Sequence, residues 1–196
     1  GTYIEGRHTG TFGQTAALSF NGNKIVTTGG GGAVMTDDDA IAATIRHLTT
    51  TAKQTHKWEF IHDMVGYNYR MPAINAALGV AQLEQLKNFL HCKRALADAY
   101  AEAFANIPGV SFVRERVGTT ANYWLNALIL DHADLKVRDA VLATLNDAGY
   151  GSRPAWRPMH LLTPFADAPR DDLSVSEDLY HRVINIPSGI GVCPPC

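Results

Sequence analysis

Between Ser19 and Gly32 the chain reads Ser-Phe-Asn-Gly-Asn-Lys-Ile-Val-Thr-Thr and then four consecutive glycines. No other stretch restricts the fold as much. Asn21, Gly22 and Asn23 are turn formers, Ile25 to Thr28 are all β-branched, and the glycines open backbone conformations closed to other residues. Lys24 is thereby expected at the end of a strand, with its amine inside a site rather than in solvent. An amine so placed can condense with a carbonyl if it is neutral part of the time, which burial or a cationic neighbour arranges. Ser19 adds a hydroxyl, and the glycines let backbone amides approach a ligand, a combination suited to a phosphate beside the amine. Amine and phosphate site together point to pyridoxal phosphate. A solvated lysine in a hairpin turn, followed by a merely flexible loop, is the competing reading of the same residues. A nucleotide P-loop fails on spacing, because it needs Gly-Lys followed by Ser or Thr, whereas Lys24 follows Asn23 and precedes Ile25.

Two further motifs follow in order, Gly66-Tyr67-Asn68-Tyr69-Arg70 and Asn75-Ala76-Ala77-Leu78-Gly79. With Ser19 to Gly32 they resemble the DegT/DnrJ family of sugar-nucleotide aminotransferases, and the resemblance covers nearly the whole chain. It is closest to the branch that aminates the 4-keto group of nucleotide-linked 6-deoxy sugars, as on routes to bacillosamine and legionaminic acid. The fold this implies is α/β, a PLP-dependent transferase of fold type I like aspartate aminotransferase. Residues 1–92 would be part of the PLP-binding large domain and residues 93–196 a small C-terminal α+β domain. The large domain would lack its N-terminal part, because the aspartate that pairs with the pyridine nitrogen, the aromatic ring over the cofactor and an early phosphate-binding loop have no counterpart here. The chain thus resembles roughly the C-terminal half of a family member.

The resemblance also assigns roles. Lys24 would be the catalytic lysine that carries pyridoxal 5'-phosphate, with Ser19 and Asn68 as further cofactor-binding residues. In the family the asparagine of the second motif reaches the cofactor phosphate of the neighbouring subunit, so Asn68 implies a homodimer with shared active sites. Arg70, Arg153 and His160 are the candidate substrate-binding residues. The implied reaction is a ping-pong transamination, with glutamate as amino donor and a nucleotide-linked keto sugar as acceptor. Relatives that remove a hydroxyl instead carry histidine where this chain has Lys24, which favours the aminotransferase. A noncatalytic fragment that at most binds sugar nucleotide or PLP is the alternative, since the missing aspartate would leave the cofactor without its electron sink. An interaction domain built on the α+β part is a third reading, one that leaves Lys24 idle.

Composition restricts the remaining classes. With 46% hydrophobic and 18% charged residues the chain reads as an ordinary globular one, and a formal net charge of −2 without a basic run argues against nucleic acid as partner. No span approaches the roughly 20 apolar residues of a membrane helix, and the opening residues do not read as a secretion signal. A cytoplasmic protein is the expectation. The cysteines are too few for a disulfide framework, and Cys193-Pro194-Pro195-Cys196 has the spacing of a redox or zinc half-site without the second pair or the flanking strand and helix such a site needs.

In chain order, Gly1 to Gly13 reads as loop and Ala33 to Met35 as a short strand. Thr36 to Asp39 supplies an N-cap for a helix from about Asp38 to Leu48, in preference to a metal site. Thr49 to His62 is expected to be a long ordered loop. After Pro72 a helix should run to about Phe104. Its first half is expected to be widely buried through Ile74, Ala76, Ala77, Leu78 and Val80, and Lys87, Lys93, Arg94, Asp98 and Glu102 are expected on its exposed side. Val110 to Val113 and Tyr123 to Leu130 read as strands, Val137, Val141, Leu145 and Ala148 as the apolar stripe of a helix stopped at Gly149, Asp171 to Arg182 as a helix and Val183 to Ile186 as a final strand. The proline-rich stretch Ser152 to His160 is either a surface loop whose Trp156 packs into the small domain, or a segment folded over an active site.

Overall fold

A computed structural model describes residues 1–193. In chain order its elements are β1 (Tyr3–Ile4), β2 (Arg7–His8), β3 (Ala16–Ser19), β4 (Gly32–Met35), α1 (Asp39–Thr49), α2 (Ala73–Glu84), α3 (Leu86–Phe104), β5 (Val110–Phe112), β6 (Thr119–Thr120), β7 (Asn126–Leu130), α4 (Leu135–Asp147), β8 (Arg153–Pro154), α5 (Ser174–Arg182) and β9 (Val183–Ile186). They form two compact units, one of Gly1–Asn88 with Gly118–Thr120, the other of the described residues from Phe89 onward except those three. Pro194, Pro195 and Cys196 lie outside the described residues, and with them all of the Cys-x-x-Cys tail but Cys193.

In the first unit β3 and β4 pair antiparallel from Ala16↔Met35 to Ser19↔Gly32, so the stretch from Phe20 to Gly31 is the connection of a hairpin. Asp38 caps α1, its carboxylate accepting from the backbone N–H of Ala40 at 2.8 Å and of Ile41 at 3.0 Å, which explains the acidic run as capping. The opening residues are not plain loop. β1 and β2 form a small hairpin and β6 joins β1 through Tyr3↔Thr120, two-residue ladders too short to leave a periodic signal. The stretch after α1 is ordered by an antiparallel bridge between Thr50 and Asn68 and another between Lys53 and His62, with Ala52 buried beneath it.

The long helix expected after Pro72 is two. It breaks at Gln85, whose backbone N–H turns back to the carbonyls of Gln82 and Leu83. The burial expected for its first half is also absent in this unit. Ile74 is 80% and Val80 58% exposed, and Gly79 is the buried residue of α2. Apolar periodicity identifies a face of a helix, not the surface that covers it.

The second unit closes a core on itself. Its sheet has the order β5-β7-β9-β8 with antiparallel pairing throughout, registered by Val110↔Leu130, Asn126↔Ile186 and Arg153↔Asn185. Leu128, Leu130, Ile184 and Ile186 form the centre, packed by Tyr100 and Phe104 from α3 and by Val141, Leu142 and Leu145 from α4. Val137, expected on that stripe, is exposed instead. β7 begins three residues later than expected because Tyr123 takes a positive φ of 44°. α5 begins at Ser174, where the Asp172 carboxylate accepts from the Ser174 N–H at 3.0 Å.

Candidate active site

Lys24 does not stand at the end of a strand as expected: β3 stops at Ser19, the residues from Ile25 to Thr28 form no ladder, and the lysine sits half-buried in the β3–β4 connection, with the backbone around it tied at several points. The Lys24 N–H donates to the Asn21 carbonyl at 3.0 Å, forming the turn that the Asn-Gly-Asn sequence encodes. The loop is then closed at its base. The Phe20 carbonyl accepts from the Thr28 N–H at 3.0 Å and from the Thr27 hydroxyl at 3.1 Å, while the Phe20 N–H donates to Gly31 at 3.0 Å. Val26 is buried between Lys24 and that base. Ser19 ends β3 next to the loop, exposed, its hydroxyl accepting from the Asn21 N–H at 3.4 Å.

The loop also rests on α2. Thr28 is 2% exposed, and its carbonyl accepts from the Asn75 amide at 2.6 Å. The Thr27 N–H donates to the Gln82 amide oxygen at 3.4 Å. Between them Gly79 leaves room for Thr28, since a Cβ there would lie 2.9 Å from the Thr28 Cγ2. Residues 75, 79 and 82 share one helix face. Asn75 and Gly79 stood in the third motif only as marks of resemblance, and Thr28 and Gln82 were not singled out at all. The signal in the sequence was the i, i+4, i+7 spacing of two amides around a glycine.

Asn68 and Arg70 lie in the extended segment before α2, both exposed, held by the Tyr67 N–H to the Leu48 carbonyl at 2.7 Å and the Tyr69 N–H to the Thr49 carbonyl at 3.0 Å. Neither caps the helix, whose N-cap is Pro72. Arg70 lines a cleft of about 460 Å³ with Arg46, Thr36, Met35 and Ile45. Two guanidinium groups at one concavity make it attractive to anions.

The other candidates belong to the second unit. Arg153 is the first residue of β8, and its guanidinium donates to the Asn146 side chain at 3.0 Å and to the Ser152 carbonyl at 2.8 Å. His160 pairs with Glu177 at 2.7 Å and lines a largely apolar cavity of about 530 Å³ together with Trp156, Met159, Phe165 and Tyr180. Trp156 stacks on Trp124 at 5.9 Å while staying largely exposed, so the segment is docked by its aromatic ring rather than buried.

Lys93 corrects the expectation of an exposed lysine. It is 4% exposed, and its ammonium donates to the carbonyls of Ser188 at 2.5 Å and Trp124 at 3.3 Å. Burial pushes it below the usual lysine range. Nearby in the sequence, Arg94 holds Glu115 at 2.8 Å, and that hydrogen bond, aided by the Ala121 N–H, keeps the Glu115 carboxyl below its ordinary value.

Solved structures that superimpose on this chain include aminotransferases, and the fold is that of the PLP-dependent transferases. TlmJ from Streptoalloteichus hindustanus superimposes with a TM-score of 0.89 at 25% identity, over 97% of this chain and 51% of its own. Spr1654 of Streptococcus pneumoniae, solved in a PLP-form and a PMP-form, gives TM-scores of 0.87 and 0.89 at 22% and 21% identity, over 96% and 98% of this chain and 50% of its own in each case. The chain belongs to the DegT/DnrJ/EryC1/StrS aminotransferase family, whose model matches residues 1–194. The GDP-perosamine synthase of Vibrio cholerae is 37% identical over 194 residues, covering 98% of this chain and 52% of that protein. The chain spans about half the length of the curated relatives it matches.

Proposed function

We propose that this chain supplies the lysine-bearing part of an enzyme that uses pyridoxal phosphate to aminate the 4-keto carbon of a nucleotide-linked 6-deoxy sugar, with glutamate as amino donor. Its setting is bacterial surface-glycan biosynthesis in the cytoplasm. One observation carries the reading: a half-buried lysine on a loop closed at its base and bonded to a helix. An ordinary surface lysine has no need of such a mount.

The donor set fits two ends of the cofactor. Lys24 offers the amine for its carbonyl, and the Ser19 hydroxyl, beside a loop in which Gly29 and Gly31 take positive φ of 80° and 95°, offers donors for its phosphate. Exposed Asn68 is suited to the phosphate of a cofactor held by a second copy, which makes a homodimer the working form. Once bound, pyridoxal phosphate supplies a carbonyl that accepts the amino group and a conjugated ring that spreads charge from the donor's α-carbon. Lys24 Nζ, released from that carbonyl when the donor's amine replaces it, would serve as the base that removes the α-proton of glutamate and redelivers it. Arg70, with Arg46 beside it, orients the substrate diphosphate by paired charge-assisted hydrogen bonds. Arg153 and His160 are assigned to the nucleotide-linked sugar.

The test is the first half-reaction. The enzyme of which this chain is the lysine-bearing part is incubated with pyridoxal phosphate and glutamate, and pyridoxamine phosphate is measured, followed by its consumption with GDP- or UDP-linked 4-keto-6-deoxy sugar. The expected result is pyridoxamine phosphate formation that Lys24→Ala abolishes. Cofactor binding without that product would favour the alternative, a chain that holds the ligand without turnover.

A further inference from the structure

The loop that presents Lys24 is not anchored by its own strands alone. Its return leg, Thr27 and Thr28, is fixed to a single face of α2 by an amide hydrogen bond at 2.6 Å from Asn75, a second contact at 3.4 Å to Gln82, and the space left by Gly79. Only Ile25 and Val26 separate that leg from Lys24, and Val26 is buried, so a displacement of Thr28 has little slack in which to dissipate before it reaches the lysine. Thr28 is itself locked, its hydroxyl donating to the Gly30 carbonyl.

We propose that Asn75, Gly79 and Gln82 form a seat that sets the direction of the Lys24 amine, and that they are positioning residues for its chemistry. This rests on the reading of Lys24 as the reactive lysine. The three residues act through Thr27 and Thr28, the residues they contact. Gly79 is the most informative of them. Alanine is the better helix former, so Gly79→Ala should firm α2 if the helix were all that mattered. A methyl group there instead meets the Thr28 Cγ2 at 2.9 Å and must push the loop. Thr28→Ser removes that methyl and keeps the hydroxyl that bonds to Gly30, so it should undo the damage. Asn75→Asp keeps the shape of the side chain but loses the N–H donor and turns a carboxylate toward the Thr28 carbonyl.

The experiment measures the rate at which Lys24 acquires a pyridoxyl group, by mass of the Lys24 peptide after incubation with pyridoxal phosphate and borohydride reduction. Alongside it runs the rate of Lys24 acetylation by acetic anhydride relative to exposed Lys57, which needs no cofactor, and the melting temperature of each variant. A shift of about 1 Å in a reacting group can cost ~100-fold in rate, so Gly79→Ala and Asn75→Asp should slow the pyridoxylation roughly tenfold or more. Gly79→Ala should do so without lowering the melting temperature. The double variant Gly79→Ala/Thr28→Ser should recover most of the loss, and Ile74→Ala, on an exposed part of the same helix, should change nothing. Gly79→Ala labelling at the wild-type rate, or a loss that Thr28→Ser fails to recover, overturns the seat. A wild-type chain that gains no pyridoxyl group at Lys24, yet whose acetylation rate responds to Gly79→Ala and is rescued, overturns the cofactor reading and leaves the seat standing.

Discussion

The two units handle apolar residues in opposite ways. In the second, Ile184 is fully buried between β7 and the helices, and the alternation along β9 is converted directly into core. In the first, α2 carries as apolar a sequence, yet most of its large side chains meet solvent and its buried contact is the polar seat beneath the lysine loop. The second unit therefore draws its stability from contacts it makes with itself. The first positions a chemical group by hydrogen bonds and leaves the large apolar side chains of α2 exposed.

That contrast predicts an ordered set of effects in urea denaturation. Ile184→Ala should be the most damaging, at about 3 to 4 kcal/mol, because a buried isoleucine is lost from a packed centre. A cost of about 0.5 kcal/mol or less, the level of a neutral surface change, would mean that this core is not what holds the second unit together. Lys93→Ala comes next, at about 2 to 3 kcal/mol, since it strips the donor from the carbonyls of Ser188 and Trp124.

Lys93 also gives a pH signature. Its ammonium titrates below the ordinary value of 10.5 in the folded chain, so above that lowered value the unfolded state binds more protons than the folded one. Stability should accordingly rise with pH over the window from the lowered value up to 10.5, and Lys93→Met should flatten that rise. Glu115 works on the acid side. Its folded carboxyl lies below the ordinary 4.5, so its stabilisation is present above 4.5 and is lost as pH falls through the lowered value. Glu115→Gln should remove that acid-side loss, at a cost near neutral pH of about 1 kcal/mol or less for a partly exposed pair. The smallest effect should be Ile74→Ser, within about 0.5 kcal/mol, because the side chain it replaces already faces water in this unit. A large loss there would show that α2 buries its apolar face after all.

What the sequence made legible is what local chemistry controls. The turn from Asn21 to Lys24, the cap at Asp38 and the strand Val183–Ile186 are each encoded within a few residues and found there, whereas Lys24 itself lies in a hairpin connection and not at the end of a strand. The fold of the family followed from three motifs in order. What stayed hidden depends on partners far along the chain. Lys93 bonds to a carbonyl 95 residues away, and nothing in a helix rich in charged residues marks that one lysine as buried. The bond from Asn75 to Thr28 spans 47 residues, so the motif that signalled kinship gave no sign of its mechanical role. The exposed face of α2 was misread for a related reason. Periodicity counts apolar positions and is silent on what covers them.

The central claim is that Lys24, alone among the lysines, is mounted for reaction with a carbonyl. The most direct measurement is a map of every lysine peptide after treatment with a slight excess of pyridoxal phosphate and borohydride. The account predicts a pyridoxyl group concentrated at Lys24, none at buried Lys93, and only traces at exposed Lys53, Lys57, Lys87 and Lys136. Labelling spread evenly over the exposed lysines, with Lys24 no more reactive than they are, would contradict it.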